Sequence, residues 1–487
     1  MTTEQNIAYQ HFHTALESLA EYKPRYQHQQ KNDHPSHMYL SNKLSSHTIP
    51  SASAFGDEHL PYSPYYSFGI SNNSCASSFT SISSSTSIAS SDDFDPLPEL
   101  RAFGKKAMKR EKSSSKKMTC TMDPSLENPN DMIAYSENIE SKRDFYGFKL
   151  PTEWVSIEEL YRFDRGYKPI LERQASKWAT FLAEAGNHLP PLCCKLKRYT
   201  RKGVPRHLRS SVWMHYSGAQ AKMNADPGLY KRCLDIGKEE SNEHLQIIQR
   251  DARRTFSENT YFSQPGASVD EEDLESNPKQ RALKNVLVAF TTHLGFYHPS
   301  FATLAAFFLL IVDDEHKAFW LLEQVVLYYY PENAFNGRDL SIDQSVLMQL
   351  VYDKMPGVWN KLSNKRCFWE CSSKKGQMPP VTVVTSHWFL DGFINILPIE
   401  TIVRIWDCIF IEGYQVLFRV ALTIFKINES HIHYASDDIQ ASRILQNTPR
   451  GLIDCDAFLE AVFSKTGVAN EITFRDIERR RVVLRYR

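Results

Sequence analysis

Ile248-Gln249-Arg250-Asp251-Ala252-Arg253-Arg254-Thr255-Phe256 has the form I-x-x-D-x-x-R-T-F, which sets one arginine, Arg254, at a fixed offset from one aspartate, Asp251. Two further segments stand in order around it. Upstream, Arg201-Lys202-Gly203-Val204-Pro205 continues through Arg209 to Trp213. Downstream, Trp388-Phe389 is followed by Leu397-Pro398, then Arg404-Ile405-Trp406-Asp407 and Glu412-Gly413. Any one of these is a weak signal, whereas the ordered set is a strong one.

Outward from that stretch the chain reads as helix after helix. Leu171, Ala175, Trp178 and Leu182 are spaced to line one helical face, and Gly186 lies where such a helix stops. Leu208, Val212, Tyr216 and Ala219 mark a second helix, and Phe319, Leu322, Val326 and Tyr329 a third that ends before Pro331. Ser341-Ile342-Asp343-Gln344 has the form of a capping box opening the next helix. Alternating strand patterns are short and few, so the expected fold is all-α. Gln264 to Lys279 is acidic and Ser372 to Pro380 polar, and both read as loops. No tandem repeat is evident, so a solenoid built from sequence repeats is not supported.

The beginning of the 487-residue chain differs in kind. Between Ser71 and Ser91, 11 of 21 residues are serine, and most of the first 130 lack periodicity, leaving little apolar surface to offset ordering entropy. Residues 1–140 are therefore expected to be disordered, 141–195 a helical leader, 196–430 the core of the domain, and 431–487 its C-terminal helical part. Limited proteolysis should remove about the first 130 residues quickly and leave a stable fragment starting between about 135 and 160. A protected N-terminal fragment of comparable size would overturn that boundary.

Lys plus Arg and Asp plus Glu are both 57, so the formal net charge is zero and global attraction to nucleic acid or anionic membrane is not implied. The basic run from Arg101 to Lys117, with serines at 113–115, reads first as a solvated linker. Its second reading is peripheral docking to anionic lipid, tuned by serine phosphorylation. The nine cysteines follow no metal-ligand spacing, and an odd count without a cleavable apolar N-terminus fits reduced thiols in a cytoplasmic protein. His431 and His433 read as surface histidines rather than ligands. Phe301 to Val312, twelve residues without a charge, is too short for a transmembrane segment and reads as a buried helix.

The three ordered segments resemble those of the TBC-domain Rab GTPase-activating proteins, and the runs KRYTRKGVP and VWMHYSGAQAKM are most like its growth-hormone-regulated branch. The resemblance covers roughly residues 145 to 480. It implies a multi-helix TBC (Rab-GAP) domain behind a disordered N-terminal region, and a regulator of vesicle trafficking that acts in trans on a Rab-family small GTPase. The chain would then be no enzyme in its own right. GTP and Mg²⁺ would belong to the partner, so no cofactor or metal is expected here.

In that family an inserted arginine neutralises charge on the transferring phosphoryl, an effect worth roughly 10³ to 10⁵ in rate or about 4 to 7 kcal/mol of barrier. The resemblance carries that arginine finger onto Arg254 and an orienting carboxylate onto Asp251. The plain alternative for Arg254 is an exposed helix arginine. The family's second finger is a glutamine in Y-x-Q-G that orients the attacking water. Aligned back from Leu304-Ala305-Ala306-Phe307, that motif falls on Tyr297-His298-Pro299-Ser300-Phe301, with Pro299 where glutamine is expected. A one-residue slip puts His298 there instead, and an imidazole cannot present the donor and acceptor of an amide head. The degenerate position therefore comprises His298, Pro299 and Ser300. Activity is expected to be weak, and a catalytically inactive Rab-binding scaffold is the alternative.

Pro299 is also expected to displace the loop that presents the second finger, and Thr291 to Gly295 reads as a shortened loop before it. Arg201, Gly203, Pro205, Arg209, Trp213, Trp388, Phe389, Pro398, Trp406, Asp407 and Gly413 are expected to be structural. The aromatics would pack the core, the prolines fix helix boundaries, and Arg201, Arg209, Arg404 and Asp407 form buried pairs.

Overall fold

The computed structural model describes residues 132, 135–137, 139 and 141–486, apart from 239–243, 264–275, 332–333, 337 and 374–375. The expected disorder of residues 1–140, the basic run 101–117 and most of the acidic stretch from 264 to 279 lie outside these residues.

Among the described residues nineteen α-helices follow one another from Ile157 to Arg485, and there is no strand. They are α1 (Ile157–Glu184), α2 (Cys194–Lys202), α3 (Arg206–Tyr216), α4 (Ala219–Ala225), α5 (Leu229–Gly237), α6 (Leu245–Arg254), α7 (Pro278–Leu294), α8 (Ser300–Val312), α9 (Glu315–Gln324) and α10 (Arg338–Lys354). The series continues with α11 (Pro356–Leu362), α12 (Phe368–Cys371), α13 (Val381–Leu390), α14 (Ile399–Glu412), α15 (Gln415–Ile427), α16 (Glu429–Tyr434), α17 (Asp438–Asn447), α18 (Cys455–Val462) and α19 (Phe474–Arg485).

Three of these helices organise the rest. The apolar run Phe301 to Val312 forms α8, which packs against α3, α6, α7 and α9. Its Phe307 and Phe308 meet Trp213, Trp406 and Phe410, with ring centroids 5.1–6.5 Å apart throughout this group. α14 is surrounded by α2, α3, α15 and α18, and α10 by α11, α13, α15 and α19. The C-terminal helix is tied to α10 by Arg481, whose guanidinium takes both oxygens of buried Asp343 at 2.6 and 2.8 Å while the Tyr414 hydroxyl donates to the same carboxylate.

Four local expectations are corrected. Ala219 does not continue the helix of Leu208 and Val212, because α3 ends at Tyr216 and Gly218, at φ +84°, opens α4. Ser341 caps nothing: α10 starts at Arg338, and Gln344 instead exchanges hydrogen bonds with Thr385 on α13. Thr291 to Leu294 are no loop but the last turn of α7, closed by Gly295 in the left-handed region, an ordinary way to satisfy a helix end. His431 is buried on α16, with only His433 at the surface, because α16 turns one face to α11 and α15.

Candidate functional site

α6 is short and strongly amphipathic. Ile248, Asp251 and Ala252 face inward while Arg250 and Arg254 face solvent, and Arg253 and Arg254 occupy the last turn, where cations complement the helix dipole. Arg254 is the final helical residue. Its side chain is exposed and makes no hydrogen bond or ion pair among the described residues. An arginine in that setting is free to reach an anionic group on a partner.

Asp251 sits one turn back and is held from two sides. Arg250 Nε donates to its Oδ1 at 3.0 Å, and the Tyr297 hydroxyl donates to its Oδ2 at 2.9 Å. Burial, reinforced by the nearby carboxylate, pushes the Tyr297 phenol well above its ordinary range, so the phenol remains a donor. This single bond joins the Arg254 helix to the segment before α8. Sequence reading placed Tyr297 in the degenerate motif but had no signal for its partner, 46 residues away.

The rest of that motif offers no amide. Pro299 is exposed and heads α8 at φ −55° and ψ −34°, with Phe301 N donating to His298 O at 2.9 Å. These angles are helical, so Pro299 leads into α8 without a break. A proline is tolerated at a helix start, where its missing N–H is one of the donors without an intrahelical acceptor. His298 turns its ring onto Phe301 and Phe335, at 5.9 and 5.4 Å between centroids, and burial lowers its imidazole to about 4. Its Nδ1 accepts from Ser300 N at 3.2 Å, and Ser300 is itself buried beside Asp391.

The residues of the flanking motifs form an ionic network that is buried at Arg209, Arg404 and Asp407, whereas Arg201, expected to be buried, stays partly exposed. Arg209 donates to Asp407 at 3.2 Å, to Glu400 at 3.3 Å and to the Tyr146 hydroxyl at 2.6 Å. Asp407 also accepts from Trp213 Nε1 at 2.7 Å and from Val204 N at 3.4 Å, and burial still pushes its carboxyl above the ordinary range against the opposing pull of Arg209 and Trp213. Glu400 is less deeply buried, and Arg209, Arg206 and Arg404 hold it below the usual carboxylate range. Arg201 makes a bidentate pair with Glu412, both bonds 2.6 Å, and Arg404 pairs with Asp456 at 2.9 Å.

Gly203, at φ +112°, lies so close to Arg404 that a Cβ would stand 3.1 Å from its guanidinium. Its carbonyl accepts from Trp178 Nε1 at 2.8 Å. Pro205 and Pro398 are the N-caps of α3 and α14, and Gly413 ends α14. Trp388, Phe389 and Trp406 are fully buried. None of these residues hydrogen-bonds or forms an ion pair with the Arg254 side chain among the described residues. Sequence reading named Arg201, Arg209, Arg404 and Asp407 but not Glu400 or Asp456.

No group of three or more His, Cys, Asp or Glu side chains suited to a metal ion occurs among the described residues, and no described helix is long and apolar enough to cross a membrane.

Residues 206–433 match the family model of the Rab-GTPase-TBC domain. Growth hormone-regulated TBC protein 1 of Xenopus laevis is 35% identical over 343 residues, which cover 68% of this chain and 91% of that protein. The GTPase-activating protein GYP3 of Saccharomyces cerevisiae is 33% identical over 324 residues, 59% of this chain and 50% of that protein. Among solved structures, a Chlamydomonas flagellar RabGAP TBC domain superposes with a TM-score of 0.53 at 26% identity, covering 66% of this chain and 99% of that one.

Proposed function

Because this chain belongs to the Rab-GTPase-TBC domain family, we propose that it docks on a Rab-family small GTPase and promotes its GTP hydrolysis through Arg254 alone. The observation that carries this reading is the setting of Arg254. It is exposed and unpaired at the end of α6, one turn beyond an aspartate anchored by Arg250 and Tyr297. A guanidinium so placed neutralises charge that develops on the γ-phosphoryl, and its forked, permanent charge suits that task better than an ammonium. GTP and Mg²⁺ are supplied by the GTPase, so the chain contributes a side chain and a surface. It acts wherever the Rab is membrane-bound in vesicle trafficking, and the basic run 101–117 is suited to a peripheral contact there.

Orientation of the attacking water falls to the Rab's own glutamine. Pro299 has no side-chain amide, and the His298 imidazole is neutral and turned onto Phe301 and Phe335. Acceleration by the native protein is therefore weak. Since Pro299 occupies an undistorted helix start, the single change Pro299→Gln is expected to raise single-turnover hydrolysis by about 10-fold, or about 1.4 kcal/mol of barrier. Strong activity in the native protein, unchanged by Pro299→Gln, would show that the Rab glutamine suffices.

The chemical blankness of position 299 favours one second reading, a Rab-binding adaptor that does not accelerate hydrolysis. A single-turnover assay across a panel of Rabs separates the two. Rab binding with no Arg254-dependent rate in any of them would establish the adaptor.

A further inference from the structure

The residues Arg143 to Lys149 precede the family-matched segment and close on themselves through an antiparallel bridge between those two residues. This strap lies on the stretch of chain that leaves α6. Asn259 Nδ2 donates to Tyr146 O at 2.7 Å, and Thr260 N donates to Gly147 O at 3.1 Å. Phe148 sets its ring edge-on to Phe256 at 5.0 Å, and Lys149 pairs with Glu258 at 3.1 Å. The fit is close at Gly147, where φ is +85° and a Cβ would come within 2.7–2.8 Å of the side chains of Asn259, Tyr261 and Thr260. On its other side the strap is anchored to the frame. The Tyr146 hydroxyl accepts from Arg209, and the Arg206 guanidinium lies 4.4 Å from the Phe145 ring centroid.

What the strap holds is a strained turn. Phe256, two residues beyond Arg254, has φ +54°, a left-handed conformation that a bulky side chain adopts only when its surroundings fix it. Those surroundings are Phe148 from the strap and Phe262, 5.6 Å away. We infer that residues 143–149 are a positioning element for Arg254: by keeping Phe256 in this turn they keep the last turn of α6 formed and its terminal side chain presented to the GTPase. This rests on the reading of Arg254 as the arginine finger. Tyr146, Gly147 and Phe148 are thus positioning residues and touch no reacting atom.

The test uses the full chain carrying Pro299→Gln, with Gly147→Val, Phe148→Ala and Arg254→Ala each added to it. Single-turnover GTP hydrolysis, Rab·GDP binding, melting temperature and amide hydrogen exchange are measured in parallel. Gly147→Val and Phe148→Ala are expected to lower the Arg254-dependent rate by roughly 10- to 100-fold, the scale of a misplacement of about 1 Å. Exchange should quicken in 253–262 but not in α14, and Rab·GDP binding should be retained. Rates equal to the parent's, with Arg254→Ala inactive, would overturn the strap's role and leave the arginine reading intact. An equal loss of Rab·GDP binding, or faster exchange throughout α14, would make the strap a folding element only. If Arg254→Ala itself has no effect, the arginine reading fails and this inference fails with it.

Discussion

Arg254→Ala is expected to return the GTPase to its intrinsic hydrolysis rate while leaving the circular dichroism spectrum unchanged and stability within about 0.5 kcal/mol, the usual range for an exposed side chain. In the Pro299→Gln protein, where the water is also held, the loss should approach 10³-fold, or about 4 kcal/mol of barrier. Arg254→Lys should fail as well, since an ammonium lacks the forked geometry. Equal rates for the parent and the alanine variant would remove Arg254 from the mechanism. Arg253, whose Nε is buried without a hydrogen-bond partner among the described residues, would then be tested next.

Asp407→Ala is expected to cost about 3–5 kcal/mol of folding stability, read as a shift of the urea unfolding midpoint followed by tryptophan fluorescence. The loss comes less from a missing attraction than from what remains. Arg209, 1% exposed, keeps its charge with one carboxylate fewer, and Trp213 Nε1 loses its acceptor. Replacing both members, Arg209→Met with Asp407→Leu, should cost less than Asp407→Ala alone, because Glu400, which loses Arg209, keeps Arg206 at 3.6 Å and the Tyr167 hydroxyl at 3.0 Å. A midpoint for Asp407→Ala within about 0.5 kcal/mol of the parent would show that Glu400 compensates Arg209 unaided.

The all-α fold was legible because helical burial leaves a local trace: the spacing of Leu171, Ala175, Trp178 and Leu182, or the uncharged run that became α8. Boundaries were legible only where one residue type decides them. Pro205, Pro398 and Gly186 did so, while Ala219 and Ser341 were misassigned because helical spacing continues across a break and a capping pattern recurs inside helices. The candidate site divides in the same way. Asp251 and Arg254 lie within a single turn and read as a unit. The Tyr297–Asp251 bond, the Glu400 partner of Arg209 and the Asp456 partner of Arg404 span 46, 191 and 52 residues. Pairing at that range imposes no period on a sequence, and only the fold exposes it.

The hub at Arg209 also bears on how the chain reaches its folded state. Its partners come from 63 residues before it and from 191 and 198 residues after it. A guanidinium resists leaving water until its carboxylates arrive, so α3 cannot be sequestered early. During synthesis the first two hundred or so residues emerge before Glu400 and Asp407 exist, and a compact half-domain at that stage would enclose a naked charge. The network therefore acts as a checkpoint on cooperativity. It penalises partial collapse, so closure of α3 onto α14 is expected to come late, and a chain that stops short of residue 400 lacks both carboxylates that neutralise Arg209.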